Sequence, residues 1–322
     1  MSKLKTKTLA LVALALLVIL IVLGGLFFYF SGKLNSQKSL LPNLQGKTIG
    51  ISFGYLPVGV LFSVPTTSAT STPSIFTVSK TSKDQVLSIA GDASTTYYLI
   101  LSSDQLSSNL FVSLTKDTTR TLTQLTNSPT LKFNLSYDPG SHMLAYQDVS
   151  IKSAIQLREN PQWKISTFNI FTRKESALTS GTNPQLVAGG QYLFYMSTSS
   201  IDTMATLASS SPRNILGNSP YNTAYAYNPQ TKTIAIYNPS TKEIDFYDVS
   251  EVTSVSYLHS TPTSFYPTAM TYDGTVLLIA GPIQGDIKHS LLQEVGYDKI
   301  LTLSNPVAAY IPQSMTILPP AP

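Results

Sequence analysis

An all-β domain assembled from repeats, preceded by one apolar span, is the architecture this sequence predicts. Three observations carry it. From about Lys47 onward, short runs rich in Val, Ile, Tyr, Phe and Thr are separated by clusters of Pro, Gly, Asn, Asp and Ser, with no sustained 3.6-residue periodicity. Strand-turn-strand units recur along that stretch. Ahead of it, Leu9 to Phe30 runs 22 residues without a charge.

The apolar run is long enough to cross a bilayer, since a helix rising about 1.5 Å per residue reaches roughly 33 Å over that length. A cleaved signal peptide has a shorter apolar core and ends at small residues. Here Phe27, Phe28, Tyr29 and Phe30 occupy that place and suit the interfacial belt instead. The run therefore predicts an uncleaved signal-anchor over 9–30. Lys3, Lys5 and Lys7 precede the span, and the positive-inside rule keeps residues 1–8 in the cytoplasm. A polar stalk over 31–46 then leads to an extracytoplasmic domain over 47–318 and a tail over 319–322. The expected location is the cell membrane, single-pass.

Charge and cysteine usage exclude several functions. Of the 21 basic residues, five lysines lie within residues 1–38, where no acid occurs. The remainder carries 16 basic against 17 acidic side chains, a net of −1. A nearly neutral domain has no basic stripe to release counterions from a phosphate backbone, so nucleic acid is not an expected partner. The chain has no cysteine, which excludes disulfides, thiolate metal sites, a cysteine nucleophile and a lipidated cysteine. Low charge and no cysteine fit a bacterial surface protein.

The repeats are read from their turns. Leu135 to Tyr146, Pro184 to Tyr195, Ala226 to Tyr237 and Met270 to Ile279 align as strand, tight turn, strand, with weaker copies at Phe53 to Phe62 and Ile89 to Ile100. Asp, Asn and Gly fill the turns because they tolerate positive φ, while β-branched and aromatic neighbours suit a pleated, buried surface. Between the markers Gly54, Asp92, Asp138, Gly189, Pro229 and Asp273 the intervals are 38, 46, 51, 40 and 44 residues. That spacing belongs to propeller blades. Further strands follow each hairpin, as at Asn109 to Leu114, Trp163 to Ile170 and Glu243 to Val249, giving about four strands per unit.

At Tyr137-Asp138-Pro139-Gly140 and Tyr272-Asp273-Gly274 the pattern resembles the TolB-like, or WD40-like, β-propeller family, whose blades carry a Ser-x-Asp-Gly turn followed by apolar strands. The resemblance covers roughly residues 47–318. It implies a propeller of six blades by the marker count, with five and seven as the neighbouring alternatives. It also implies a ring closed by shared strands, here Val307 to Leu318 against residues 47–53, and a role as a rigid interaction platform.

No residue set points to a reaction. His142 aligns within the second strand of a repeat, His259 lies in a Ser/Thr/Pro-rich connection, and neither they nor His289 have a metal-ligand partner at i+2 or i+4. Asp92, Asp138 and Asp273 recur at equivalent turns, where stabilising the turn explains them better than holding Ca²⁺. The chain shows no nucleophile elbow, Walker loop, zincin helix or dinucleotide fingerprint. Catalytic, metal and cofactor residues are therefore expected to be absent. The insertion Ser150 to Gln162, which outgrows its blade, carries Arg158 and Glu159 and leads into the only tryptophan, Trp163. Those three are the candidate partner-binding residues, because long loops and Trp/Arg anchors concentrate binding. A second insertion, Val64 to Ser74, reads as a flexible loop. The sequence thus predicts a membrane-anchored, non-enzymatic binding or scaffold module for a protein or glycan of the envelope. A propeller hydrolase or lyase acting on glycans or peptides, and a structural spacer or sensor ectodomain, are the alternatives.

Overall fold

The computed structural model describes residues 47–53, 58–63, 74–75, 86–92, 94–114, 122–159, 161–197, 200–206, 211–217, 224–251, 254–283, 286–296, 300–304 and 312–318. The predicted span over 9–30, the stalk over 31–46, the tail over 319–322, the marker Gly54 and residues 64–73 of the second insertion lie outside them. Among the described residues no helix is long and apolar enough to cross a membrane.

The chain lays down its strands sheet by sheet. β1 (Thr48–Phe53), β2 (Val58–Ser63) and β3 (Ser74–Ile75) come first, then β4 (Val86–Gly91), β5 (Thr95–Leu101), β6 (Ser108–Leu114) and β7 (Thr123–Gln124). The third sheet holds β8 (Leu131–Asp138), β9 (Met143–Val149), β10 (Lys164–Asn169) and β11 (Lys174–Ser180), with the short helix α1 (Ala154–Glu159) between β9 and β10. Next are β12 (Thr182–Val187), β13 (Tyr192–Met196), β14 (Ile201–Ala205) and β15 (Arg213–Leu216), followed by β16 (Tyr225–Asn228), β17 (Thr233–Asn238), β18 (Glu243–Asp248) and β19 (Ser256–Pro262). The sixth sheet is β20 (Ala269–Asp273), β21 (Val276–Ile283), β22 (Asp286–Glu294) and β23 (Ile300–Ser304). β24 (Pro312–Leu318) returns to the first sheet.

Each sheet is a four-stranded antiparallel meander, and the first has the order β24-β1-β2-β3. β24 pairs with β1 in the register Ile49 to Ile317 and Ile51 to Met315, the terminal closure expected from the sequence. The innermost strands β4, β8, β12, β16, β20 and β24 neighbour one another in turn, and β20 meets β24. Sheets arranged this way about an axis make a β-propeller, an architecture that leaves only short sheet edges to protect.

Period-two alternation explains why the second strand of a sheet is buried throughout. In β9, Leu144 and Tyr146 join a cluster with Leu99 and Leu110 of the preceding sheet, while Met143 and Ala145 join one with Leu193 and Tyr195 of the following sheet. β17 repeats the arrangement: Ile234 and Ile236 pack with Phe194, and Ala235 and Tyr237 pack with Met270 and Ile279. The core therefore lies between sheets, and a mid-sheet residue is covered from both sides. Tyr146, Tyr195 and Tyr225 are all buried at this level. The outer strand β11 is largely exposed and opens with Lys174 and Glu175, charges that discourage another chain from pairing with that edge.

The hairpin turns obey one local rule. Asp138, Asn169, Asn228 and Asn238 each accept a backbone amide from two or three residues on, at 2.7 to 3.1 Å. Each loop then ends in a residue at positive φ: His142, Arg173, Lys232 or Lys242. An Asx side chain closes the turn and the left-handed residue redirects the chain into the next strand.

Two local expectations are corrected. His142 ends a turn and does not lie inside a strand, because the loop needs one more left-handed residue than the alignment allowed. His259 lies in β19, where its ring stacks on Phe246 with centroids 4.6 Å apart, and not in an irregular connection.

Candidate binding site

The inner strands build the axis, and side chains fasten them to one another. Ser88 Oγ accepts the Leu135 amide at 3.0 Å, Ser136 Oγ accepts the Leu186 amide at 3.0 Å, and Gln185 Oε1 accepts the Tyr227 amide at 2.8 Å. These bonds join β4 to β8, β8 to β12, and β12 to β16. The register of each accepting strand is interrupted nearby, between Val86 and Ser88, Phe133 and Ser136, and Thr182 and Gln185. A bulge withdraws backbone groups from the ladder, and a neighbouring side chain can then satisfy them. Asn134 and Asn183 hold the left-handed positions in two of these bulges. Gln147 Oε1 accepts from both, taking the Asn134 side-chain amide at 2.7 Å and the Asn183 backbone amide at 2.9 Å. Farther round, Asn228 Nδ2 donates to Gly274 O at 3.0 Å, and Lys47 pairs with Asp273 at 2.5 Å.

Inside this ring lies an axial cavity of about 230 Å³, lined by residues of all six inner strands. Its polar wall consists of side-chain amides (Asn134, Asn183, Gln185) and hydroxyls (Ser136, Thr271, Ser314, Thr316). Among the described residues that line it there is no Asp, Glu, His, Lys or Arg. Tyr137, Tyr227 and Tyr272 also line it, each directly before the first turn of its sheet. Burial raises the pKa of all three phenols, so they remain protonated at physiological pH, and the Tyr272 hydroxyl is itself buried. Tyr137 donates to Asp92 Oδ2 at 3.2 Å and packs against the Tyr97 ring at 4.9 Å between centroids. The wall can donate and accept hydrogen bonds.

Each recurring aspartate makes a bond at its own turn or to a neighbouring lysine. Asp92 Oδ1 accepts the Ser94 and Thr95 amides at 2.8 and 2.9 Å, and Asp138 Oδ2 accepts both the amide and the hydroxyl of Ser141 at 2.7 Å. Asp273 is held by Lys47.

The insertion over 150–162 folds more than its loop-like sequence suggests. Ser153 precedes α1, and Gln156 turns back so that its Oε1 accepts the Lys152 amide at 2.6 Å. The Ser-x-x-Gln spacing is a capping-box signal, and it could have revealed the helix. Ile151 and Leu157 are buried in the adjoining core and pin the insertion to the sheet. Of the candidate partner residues, Arg158 and Glu159 lie in the last turn of α1. Trp163 sits just before β10, half-buried, with its ring edge-on to Phe133 at 5.7 Å. None of the three lines the axial cavity, so sequence reasoning singled out one region and missed the other.

A buried cation stands behind this insertion. Lys132, fully buried on β8, donates to Ser128 Oγ at 2.5 Å and to Thr130 Oγ1, and approaches Glu175 at 3.5 Å and the Tyr146 ring at 5.4 Å. Burial lowers its pKa, partly offset by Glu175 and Asp148.

Known structures resemble this ring. A nidogen/laminin complex matches with a TM-score of 0.58 at 10% identity, over 84% of this chain and 98% of the other. TolB from Acinetobacter baumannii matches with a TM-score of 0.56 at 16% identity, over 85% and 67%. A hypothetical selenium-binding protein from Sulfolobus tokodaii matches with a TM-score of 0.55 at 10% identity, over 80% and 75%. The shared feature is the β-propeller. At these identities the likeness establishes the fold alone. No family model matches the chain, and no curated protein matches it.

Proposed function

We propose that this protein is a membrane-anchored, extracytoplasmic propeller that acts as a non-enzymatic binding or scaffold module for a protein or glycan of the cell envelope. In this reading the six four-stranded sheets are six blades of one closed ring, and residues 9–30 tether it with the N-terminus in the cytoplasm. The 22 uncharged residues and the lysines ahead of them support the tether.

The observation that carries the binding role is the axial wall: residues bearing amides and hydroxyls converge on one cavity from separate strands, with Tyr137, Tyr227 and Tyr272 among its lining residues. Such groups fix the orientation of a partner by hydrogen bonding, and a rigid ring holds them ready at little entropic cost. In this reading Trp163, together with Arg158 and Glu159 of α1, supplies a second contact. A hydrolase or lyase acting on glycans or peptides has less support, because it needs an acid and a base where the wall presents neutral groups.

Site-specific photo-cross-linking tests the reading. With a photoreactive phenylalanine at Tyr227, a discrete adduct with an envelope component is expected on illumination of intact cells. The same probe at Lys174 on the outer edge should give none. Equal labelling from both positions, or none from Tyr227, would contradict partner capture at the axis.

A further inference from the structure

A second cavity, of about 500 Å³, opens between the inserted helix and the third sheet, away from the axis. Its floor is apolar, made by Val149, Ile151 and Pro161, and its polar residues are Thr130, Asp148, Ser150, Gln156, Gln162 and Lys164. The volume falls within the range of small-molecule sites. The arrangement is built rather than accidental, since Ile151 and Leu157 anchor the insertion while the capping bond fixes Gln156.

Two charged side chains line it, Asp148 and Lys164, and the buried Lys132 of β8 lies opposite Asp148 and attracts its carboxylate from behind. Asp148 on β9 and Lys164 on β10 face each other in the antiparallel ladder, yet they form no ion pair. Among the described residues the ion pairs are Lys47 with Asp273 and Lys132 with Glu175. Asp148 is 9% exposed, and its Oδ1 is held by the Ser166 hydroxyl at 3.0 Å, which fixes the carboxyl at the cavity wall. Lys164 is exposed at the rim. A simple anion would meet Asp148, and a simple cation would meet Lys164, so each is disfavoured on one side. Among the described residues that line the cavity there is no aromatic ring to stack on a sugar.

We propose that this cleft binds a small zwitterion, a free amino acid or short peptide, with the ligand's ammonium on Asp148 and its carboxylate on Lys164. The Gln156 and Gln162 amides and the Thr130 hydroxyl then face the ligand's peptide or side-chain groups, while Val149, Ile151 and Pro161 cover its apolar part. The site is independent of the axial cavity, with which it shares no lining residue.

Isothermal titration of the full chain in detergent tests the site, with glycine, a panel of other free amino acids and triglycine as probes and N-acetylglycinamide as the uncharged control. Saturable binding of at least one zwitterion is expected, with none of the control. Lys164→Gln, a surface change that leaves the fold intact, should weaken that binding at least tenfold, and Asp148→Asn should do the same if its melting temperature is retained. Tyr227→Phe at the axis should leave it unchanged. The proposal is overturned if no zwitterion binds, if the control binds equally well, or if Lys164→Gln has no effect.

Discussion

The Ser136 hydroxyl oxygen accepts the Leu186 amide across 3.0 Å and thereby joins the inner strands of two adjacent sheets. Ser88 and Gln185 make the corresponding bonds to Leu135 and Tyr227, so the ring is held by polar pins at its axis as well as by apolar packing between sheets. Removing such an acceptor orphans a backbone donor, at a cost of about 1–3 kcal/mol. Ser136→Ala is expected to lower stability by that amount in chemical denaturation, with the m-value unchanged.

Asp92 gives a signed pH prediction. Burial pushes its carboxyl upward, but the Ser94 hydroxyl and the Ser94 and Thr95 amides outweigh that and hold its pKa below the ordinary 3.8. A depressed pKa stabilises the fold above the unfolded value, and the contribution is lost as pH falls through the folded one. Asp92→Asn keeps a turn-forming acceptor, as Asn228 and Asn238 do naturally. Melting curves should show the variant close to wild type at pH 7 and less sensitive to acidification below about pH 4.

The buried Lys132 separates two kinds of substitution. Lys132→Met replaces a desolvated ammonium with an apolar chain of similar length, and stability should stay within about 1 kcal/mol of wild type or rise. Glu175→Ala removes the larger counter-charge effect and leaves the ammonium with Ser128, Thr130 and the weaker pull of Asp148. A loss of about 2 kcal/mol is expected, below the range for fully buried pairs because the Glu175 side chain is 31% exposed. Comparing the two variants by urea denaturation checks the order.

Absence of native cysteine makes the proposed topology directly measurable. A cysteine placed at the exposed Ser250 should react with a membrane-impermeant maleimide in intact cells. One placed at Ser2 should react only after lysis. The reverse pattern would contradict a cytoplasmic N-terminus.

The turns were the legible part of this sequence. Asp138, Asn228 and Asp273 stand where a chain must reverse, and the apolar runs around them keep the same phase from sheet to sheet. That local chemistry survives in a linear reading. The closing strand over 312–318 was also within reach, because an unfinished unit at one end needs a partner at the other. The axial wall was not legible. Asn134, Asn183 and Gln185 come from bulges in separate strands, and a bulge breaks the alternation from which facing direction is inferred. Tyr137, Tyr227 and Tyr272 were visible as aromatics of a repeat, yet nothing local shows that their strands share an axis. Trp163 drew attention by its residue type, whereas its edge-on contact with Phe133 makes it partly a core residue.

The central claim is that the axial cavity holds the partner through neutral hydrogen-bonding groups. Once the component cross-linked from Tyr227 is in hand, its dissociation constant should be measured for wild type and for a Thr271→Val, Thr316→Val double variant, which removes two lining hydroxyls with little change in volume. Loss of two hydrogen bonds worth about 0.5–1.5 kcal/mol each predicts affinity weakened roughly tenfold, with the melting temperature preserved. Unchanged affinity in a folded double variant would contradict the account.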